Sequence, residues 1–125
     1  MPPSPKAHPG TPDDPLTFFR SHPARRDLFP DGAEPPDAAH PLFVEREVLA
    51  AWARQQDRPL RQVMDECLSR HIWPERFRRN YGLFSVMAMR RLLGARVLLA
   101  GCGGLGGHVA GLLARLGVGA FVLCD

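Results

Sequence analysis

The feature that most restricts how this chain can fold is a cluster of glycines near its C-terminal end. An apolar run at residues 96–100 leads directly into Gly101-Cys-Gly-Gly-Leu-Gly106, and a leucine-rich segment follows. A short continuous apolar run bounded by turn residues is typical of a parallel strand covered on both faces. Glycines this dense would weaken a continuous membrane-spanning helix, so the sequence favours a strand, a turn and a soluble helix.

Three of the glycines, Gly101, Gly103 and Gly106, have the spacing G-x-G-x-x-G. In such a turn, the glycines allow a tight bend, close approach of the backbone to a phosphate, and close packing of helix on strand. The helix that follows would point its unpaired amides and the positive end of its dipole at an anion. Its predicted inward face consists of Leu105, Val109, Leu112, Leu113 and Leu116.

A second strand and an acidic residue complete the pattern. Gly117-Val-Gly119 ends the helix, residues 120–124 form another apolar run, and Asp125 follows. An acid about twenty residues after the glycine turn is placed to hold ribose hydroxyls. The sequence therefore predicts an α/β fold in which residues 95–125 form one β–α–β unit, the start of a Rossmann-type nucleotide-binding domain. Spacing alone does not distinguish ATP from NAD or FAD.

Two other regions precede this unit. Eleven of the thirteen prolines lie in residues 1–41, which predicts a disordered tail in which Leu16, Phe18 and Phe19 could dock on the body. Residues 42–94 are predicted to be helical. The helical patterns comprise an apolar face at Val44, Val48, Leu49 and Trp52, a stripe from Leu60 to Leu68 that includes Cys67, and a helix over residues 85–93.

The three cysteines show no metal-ligand spacing. Because their number is odd and the N-terminus has no signal peptide, they predict reduced thiols in the cytoplasm. Cys67, Cys102 and Cys124 are interpreted as packing residues.

The motifs together resemble a known family. Gly101-Cys-Gly-Gly-Leu-Gly-Gly107, Ala114-Arg-Leu-Gly-Val-Gly119 and Leu123-Cys-Asp125 are similar to the ThiF/MoeB/HesA family, the bacterial relatives of ubiquitin-activating enzymes. The upstream Glu75-Arg-Phe-Arg-Arg-Asn80 resembles that family's Arg-Tyr-x-Arg segment, with Phe77 in place of tyrosine. The resemblance covers residues 74–125.

The resemblance implies an ATP-dependent adenylyltransferase that uses magnesium and activates a carboxylate. The acceptor would be the C-terminal glycine of a ubiquitin-like sulfur-carrier protein or, in some relatives, a modified tRNA. It implies a homodimer in which Arg79 reaches ATP phosphates of the neighbouring subunit. The residues implied to bind the nucleotide are Gly101, Gly103, Gly104, Gly106 and Asp125.

The family's remaining segments, including its magnesium ligand and any acceptor cysteine, would follow residue 125. The chain is therefore expected to be an N-terminal fragment, inactive alone, of an enzyme. Two alternatives remain open at this point. The glycine turn could begin an NAD- or FAD-dependent oxidoreductase, or it could be a structural turn in a non-enzymatic helical adaptor.

Overall fold

The computed structural model describes residues 14–23 and 34–125. Predictions about residues 1–13 and 24–33 lie outside the described residues. The described chain is a mixed α/β structure with two separate two-stranded parallel sheets. Within these ranges, no helix is both long enough and apolar enough to cross a membrane.

The first sheet joins two short strands that are distant in the sequence. β1 pairs in parallel with β2, with Leu42 opposite Ile72 and Val44 opposite Pro74. Parallel strands need a long crossover, and two helices supply it. In chain order the elements are α1 (Pro15–Ser21), β1 (Leu42–Val44), α2 (Arg46–Gln55), α3 (Leu60–Ser69), β2 (Ile72–Pro74) and a 3₁₀ helix (Glu75–Asn80).

This sheet differs from the helical prediction for residues 42–94. Val44 lies in β1 and not on the helix that holds Val48, Leu49 and Trp52. Val44 is nevertheless fully buried. The apolar pattern correctly marked it as a core residue, but a pattern this short does not distinguish the end of a strand from the first turn of a helix.

One hydrophobic core lies between α2, α3, β2 and the 3₁₀ helix. Trp52, Trp73 and Phe77 are each about 1% exposed. The predicted α3 stripe is buried at Val63, Met64, Cys67 and Leu68. Burial raises the pKa of the Cys67 thiol far above its usual range, so Cys67 remains a protonated packing residue.

Part of the proline-rich segment is folded, unlike the tail expected for residues 1–41. Helix α1 begins at an N-cap, Asp14, whose carboxylate accepts a hydrogen bond from the Thr17 amide at 3.3 Å. Phe19 is fully buried, and the Phe18 ring lies 5.0 Å from the Trp52 ring. An N-cap followed by proline at the first helical position starts a helix, and two aromatic side chains then anchor it to the core.

We expect replacement of Asp14 by alanine to destabilise the fold. Asp14 is 4% exposed and accepts a 2.6 Å hydrogen bond from Arg70. Its removal leaves the Arg70 guanidinium short of one partner and α1 without its cap, a loss of about 2–4 kcal/mol. Urea unfolding followed by tryptophan fluorescence measures it, with exposed Ser21→Ala as the matched control. Equal stability of the two variants would contradict this role for Asp14.

The second parallel sheet lies at the C-terminal end of the described chain. Its elements are α4 (Val86–Gly94), β3 (Arg96–Ala100), α5 (Leu105–Leu116) and β4 (Ala120–Cys124). β3 and β4 pair in parallel from Arg96 opposite Ala120 to Ala100 opposite Cys124. Both strands have the bounds predicted from the apolar runs.

This sheet is less covered than its sequence predicted. Leu98 and Val122, which face each other across the two strands, are 65% and 44% exposed. On α5, Val109 and Leu113 are half-buried, whereas three leucines of the predicted inward face are exposed: Leu105, Leu112 and Leu116. An apolar pattern indicates which residues favour burial, but it does not show whether another element of the chain covers them.

Candidate functional site

The glycine turn lies where the carboxyl ends of β3 and β4 meet the N-terminus of α5. The Gly101 amide donates a 2.6 Å hydrogen bond to the Cys124 carbonyl. The Asp125 carboxylate accepts from the Cys102 amide at 3.5 Å. The structure thus brings the predicted glycines and the predicted acid together at one edge of the sheet, which is the usual place for a ligand on a parallel sheet.

Two of the glycines are required by the backbone itself. Gly101 has φ +89° and Gly104 has φ +49°, conformations that residues with a β-carbon adopt rarely. Gly104 is also the N-cap of α5, which begins without a side-chain cap. These two residues turn the chain sharply from β3 into α5.

Two other glycines are required by packing. A β-carbon placed on Gly106 would lie 1.8 Å from the Gly101 carbonyl oxygen, and one on Gly107 would lie 2.8 Å from that of Cys102. Helix α5 therefore crosses the turn at a distance that only glycine permits. This is the helix–strand packing predicted for the third glycine of the motif.

Gly103 is different, because nothing in the described chain requires a glycine there. Its φ lies outside the left-handed region, and a β-carbon would meet no atom within 4 Å. The residue is exposed. The absence of a side chain at Gly103 leaves open space directly beside the first turn of α5.

The start of α5 presents backbone amides to this space. The Gly106 amide donates to the Gly103 carbonyl at 3.0 Å, and the His108 amide to that of Gly104 at 3.4 Å. The amides of Leu105 and Gly107 donate a hydrogen bond to no described residue. Unpaired amides and the positive end of the α5 dipole favour an anion at this position.

The structure does not bring Arg79 to the glycine turn of the same chain. Its neighbours in the 3₁₀ helix contact the other end of α5, where Arg76 donates to the Ala114 carbonyl at 2.9 Å and Asn80 to that of Leu116 at 3.2 Å. A helix of 12 residues is roughly 18 Å long. Arg79 and the glycine turn of one chain are thus held at opposite ends of α5.

The three arginines of the 3₁₀ helix have different surroundings. Arg78 makes two hydrogen bonds to Glu75, at 2.5 and 2.7 Å, and lies 4.0 Å from the centre of the Phe43 ring. This pairing raises the Arg78 pKa and lowers that of Glu75. Arg76 is bound to the end of α5. Arg79 is exposed and has no ion pair or hydrogen bond with any described residue, so its guanidinium is available to a ligand.

The sequence identified Gly119 as part of the loop that ends α5 but did not indicate its packing role. A β-carbon on Gly119 would lie 1.8 Å from the Leu93 carbonyl oxygen, and its amide donates to the Leu92 carbonyl at 3.2 Å. Gly117, with φ +114°, lies against Met89 and Phe77. Through the Gly117-Val-Gly119 loop, the β3–α5–β4 unit therefore packs on α4 and the 3₁₀ helix. The G-x-G spacing of this loop was the sequence signal that could have indicated its packing role.

Two thiols and the exposed His108 side chain also lie near the turn. Cys102 is half-buried, Cys124 is exposed, and the Cys102 sulfur lies 3.9 Å from the Cys124 carbonyl oxygen. No cluster of three or more His, Cys, Asp or Glu side chains in the described part of the chain could hold a metal ion.

Comparison with known families gives one match. Residues 77–125, about two-fifths of the chain, match the family model described as the ThiF family. The resemblance predicted from the glycine and arginine motifs is confirmed for this segment. Neither a comparison with curated proteins nor one with solved structures finds a match.

Proposed function

We propose that residues 77–125, which match the model of the ThiF family, are the nucleotide-binding start of an ATP-dependent adenylyltransferase. In this proposal β3, α5 and β4 open a Rossmann-type domain. ATP lies over the glycine turn and a carboxylate is activated there. The family match supports an adenylyltransferase-like fold related to ubiquitin-activating enzymes, and the turn's geometry supports a phosphate ligand.

The observation that carries the proposal is the open space at Gly103. The chain's own conformation explains Gly101 and Gly104, and its own packing explains Gly106. Gly103 has no such internal reason, and unlike Gly111 it lies beside the unpaired amides at the start of α5, so we attribute its lack of a side chain to a group from outside the chain. A phosphate there would meet the unpaired amides at the start of α5.

Asp125 supplies the second contact. Its carboxylate is exposed beside the Cys102 amide, and an ionised carboxylate can accept hydrogen bonds from both ribose hydroxyls. Phosphates at the turn and ribose at Asp125 orient the nucleotide along the carboxyl edge of the sheet. This orientation matches the usual use of an acid at the end of the second strand.

The proposed reaction transfers the adenylyl group to a carboxylate. A carboxylate oxygen attacks the α-phosphorus of ATP, the bond from that phosphorus to the pyrophosphate oxygen breaks, and an acyl adenylate and pyrophosphate form. Backbone amides and arginine stabilise negative charge on the phosphate oxygens as the bonds change. The proposal includes Mg²⁺ bound to the phosphates but assigns it no ligand among the described residues.

We assign Arg79 to the site of a neighbouring subunit. In one chain it lies at the far end of α5 from the glycine turn, and its guanidinium has no described partner. A permanently charged, planar guanidinium suits bidentate contact with phosphate oxygens. The proposed unit is therefore a homodimer, and the proposed acceptor is the C-terminal glycine of a ubiquitin-like sulfur carrier, with a modified tRNA as the alternative. Three free cysteines support a cytoplasmic location.

Replacement of Arg79 by alanine tests its assignment to the nucleotide site. In the full-length protein, Arg79→Ala should lower the rate of pyrophosphate exchange into ATP by 100-fold or more. This decrease is expected when about 3 kcal/mol of transition-state stabilisation is lost. ATP affinity should change much less. Exposed Arg46→Ala is the matched control and should leave the exchange rate unchanged.

Mixing Arg79→Ala with Gly103→Val should then restore part of the exchange activity. In a mixed dimer, the site with the intact glycine turn receives its arginine from the Gly103→Val chain. If the subunits exchange, shown by a tag carried on one variant, and no activity returns, then Arg79 does not act across the interface.

A further inference from the structure

The charges of this chain are divided sharply along the sequence. Residues 58–124 contain ten arginines, no lysine and three acidic residues, a net charge of +7. The other residues carry a net charge of −4. Such segregation of charge often marks a surface for an anionic partner.

The three acidic residues within 58–124, already counted in this net charge, are each paired with an arginine. The pairs are Asp65 with Arg90, Glu66 with Arg58, and Glu75 with Arg78. Arg90 holds Asp65 through two hydrogen bonds of 2.9 Å. Outside the proposed nucleotide site, residues 58–124 contain four exposed arginines with neither an ion pair nor a side-chain hydrogen bond to any described residue: Arg61, Arg91, Arg96 and Arg115.

Three of these arginines belong to segments that meet at Gly119, at the amino end of the second sheet. The Arg61 Cδ atom lies 2.9 Å from the place of a β-carbon on Gly119. Arg96 is in β3, directly opposite Ala120. Arg91 precedes Leu92, whose carbonyl accepts the Gly119 amide. We call this group, Arg61, Arg91 and Arg96, the arginine surface.

The arginine surface is separate from the glycine turn. β3 runs from Arg96 at one end to Ala100 beside the turn at the other, so its length of roughly 15 Å lies between them. An anion bound at one end would not occupy the other. A ligand for the arginine surface is thus additional to a nucleotide at the turn.

We propose that the arginine surface binds the phosphate backbone of a nucleic acid. Guanidinium groups pair bidentately with phosphate oxygens, and exposed, unpaired arginines provide the positive charge that drives such binding. A protein partner is less well supported, because the hot spots of protein interfaces combine arginine with aromatic anchors. Tyr81 is the only exposed Phe, Tyr or Trp side chain among the described residues. This proposal does not depend on the proposed function.

Binding of short, fluorescently labelled RNA and DNA duplexes at increasing salt concentration tests the proposal. The full chain should bind either duplex, with an affinity that falls steeply between about 50 and 200 mM salt. The double variant Arg61→Gln/Arg96→Gln should bind at least tenfold more weakly at low salt, and its salt slope should fall by about 2. Arg46→Gln/Arg54→Gln, which removes the same charge from exposed positions on α2, should change the affinity less than twofold.

Three results would overturn the proposal. They are no duplex binding at 50 mM salt, equal losses in the two double variants, and displacement of the duplex by an acidic protein far more readily than by unlabelled duplex. The last result would assign the surface to a protein partner. Gly103→Val should leave duplex binding unchanged, so failure here is distinguishable from failure of the proposed nucleotide site.

Discussion

Replacement of Gly119 by alanine is expected to destabilise the protein by about 3 kcal/mol. The added β-carbon would lie 1.8 Å from the Leu93 carbonyl oxygen, a rigid backbone atom at the end of α4. The loop or the helix must move, and the hydrogen bond from the Gly119 amide to the Leu92 carbonyl would be strained or lost. Overpacking against backbone costs 1–3 kcal/mol or more, and the strained hydrogen bond adds to it.

Gly111 provides the matched control on the same unit. It lies within α5, and a β-carbon there would meet no atom within 4 Å. Gly111→Ala should therefore stabilise the protein by about 0.5–1 kcal/mol, because alanine is the better helix former. Urea unfolding of both variants measures the difference. If the two substitutions changed the free energy of unfolding alike, the Gly117-Val-Gly119 loop would not be packed closely on α4.

Replacement of Gly103 by valine is expected to eliminate ATP binding and leave the fold intact. Valine fills the open space beside the first turn of α5, where the proposal places a phosphate. Because a β-carbon at this position meets no described atom, the free energy of unfolding should change by less than about 1 kcal/mol. Gly103→Ala should weaken ATP binding to an intermediate extent.

Measuring ATP binding and stability together distinguishes a lost phosphate site from a damaged fold. ATP binding is measured by calorimetry and stability by urea unfolding on the same preparations, with Gly111→Ala as the control that keeps ATP affinity unchanged. Retention of ATP affinity in a folded Gly103→Val protein would show that the phosphates do not lie over Gly103.

The sequence predicted the second sheet well because two local signals coincide there. Gly101 directly follows the apolar run that became β3, Gly119 directly precedes the run that became β4, and both strands have the predicted bounds. The N-terminal half was harder. β1 has only three residues, Leu42–Val44, and its partner β2 lies beyond two helices. A pairing over that distance leaves no periodic pattern in either segment.

Helix α1 shows a different limit of sequence reasoning. Proline density predicted disorder for residues 1–41, yet Pro15 favours the first turn of a helix and Phe19 reaches the core. Composition averages over a segment, whereas docking depends on one cap and two aromatic side chains. The possible docking of Phe18 and Phe19 was the correct part of that prediction.

Spacing predicted which residues could form the candidate site but not how they are arranged. Spacing identified the glycines and Asp125, and the structure places them together at the edge of β3 and β4. Spacing did not reveal that Gly103, alone among the four predicted site glycines, has no internal reason to be glycine. It also did not show that Arg79 lies at the opposite end of α5, because that separation depends on how the 3₁₀ helix packs on the last turn.

Direct titration of the protein with ATP and with NAD tests most plainly whether the glycine turn binds ATP. We expect saturable ATP binding that Gly103→Val eliminates, together with no comparable affinity for NAD. Tight binding of NAD without binding of ATP would show that the turn is not an ATP site and would favour an oxidoreductase.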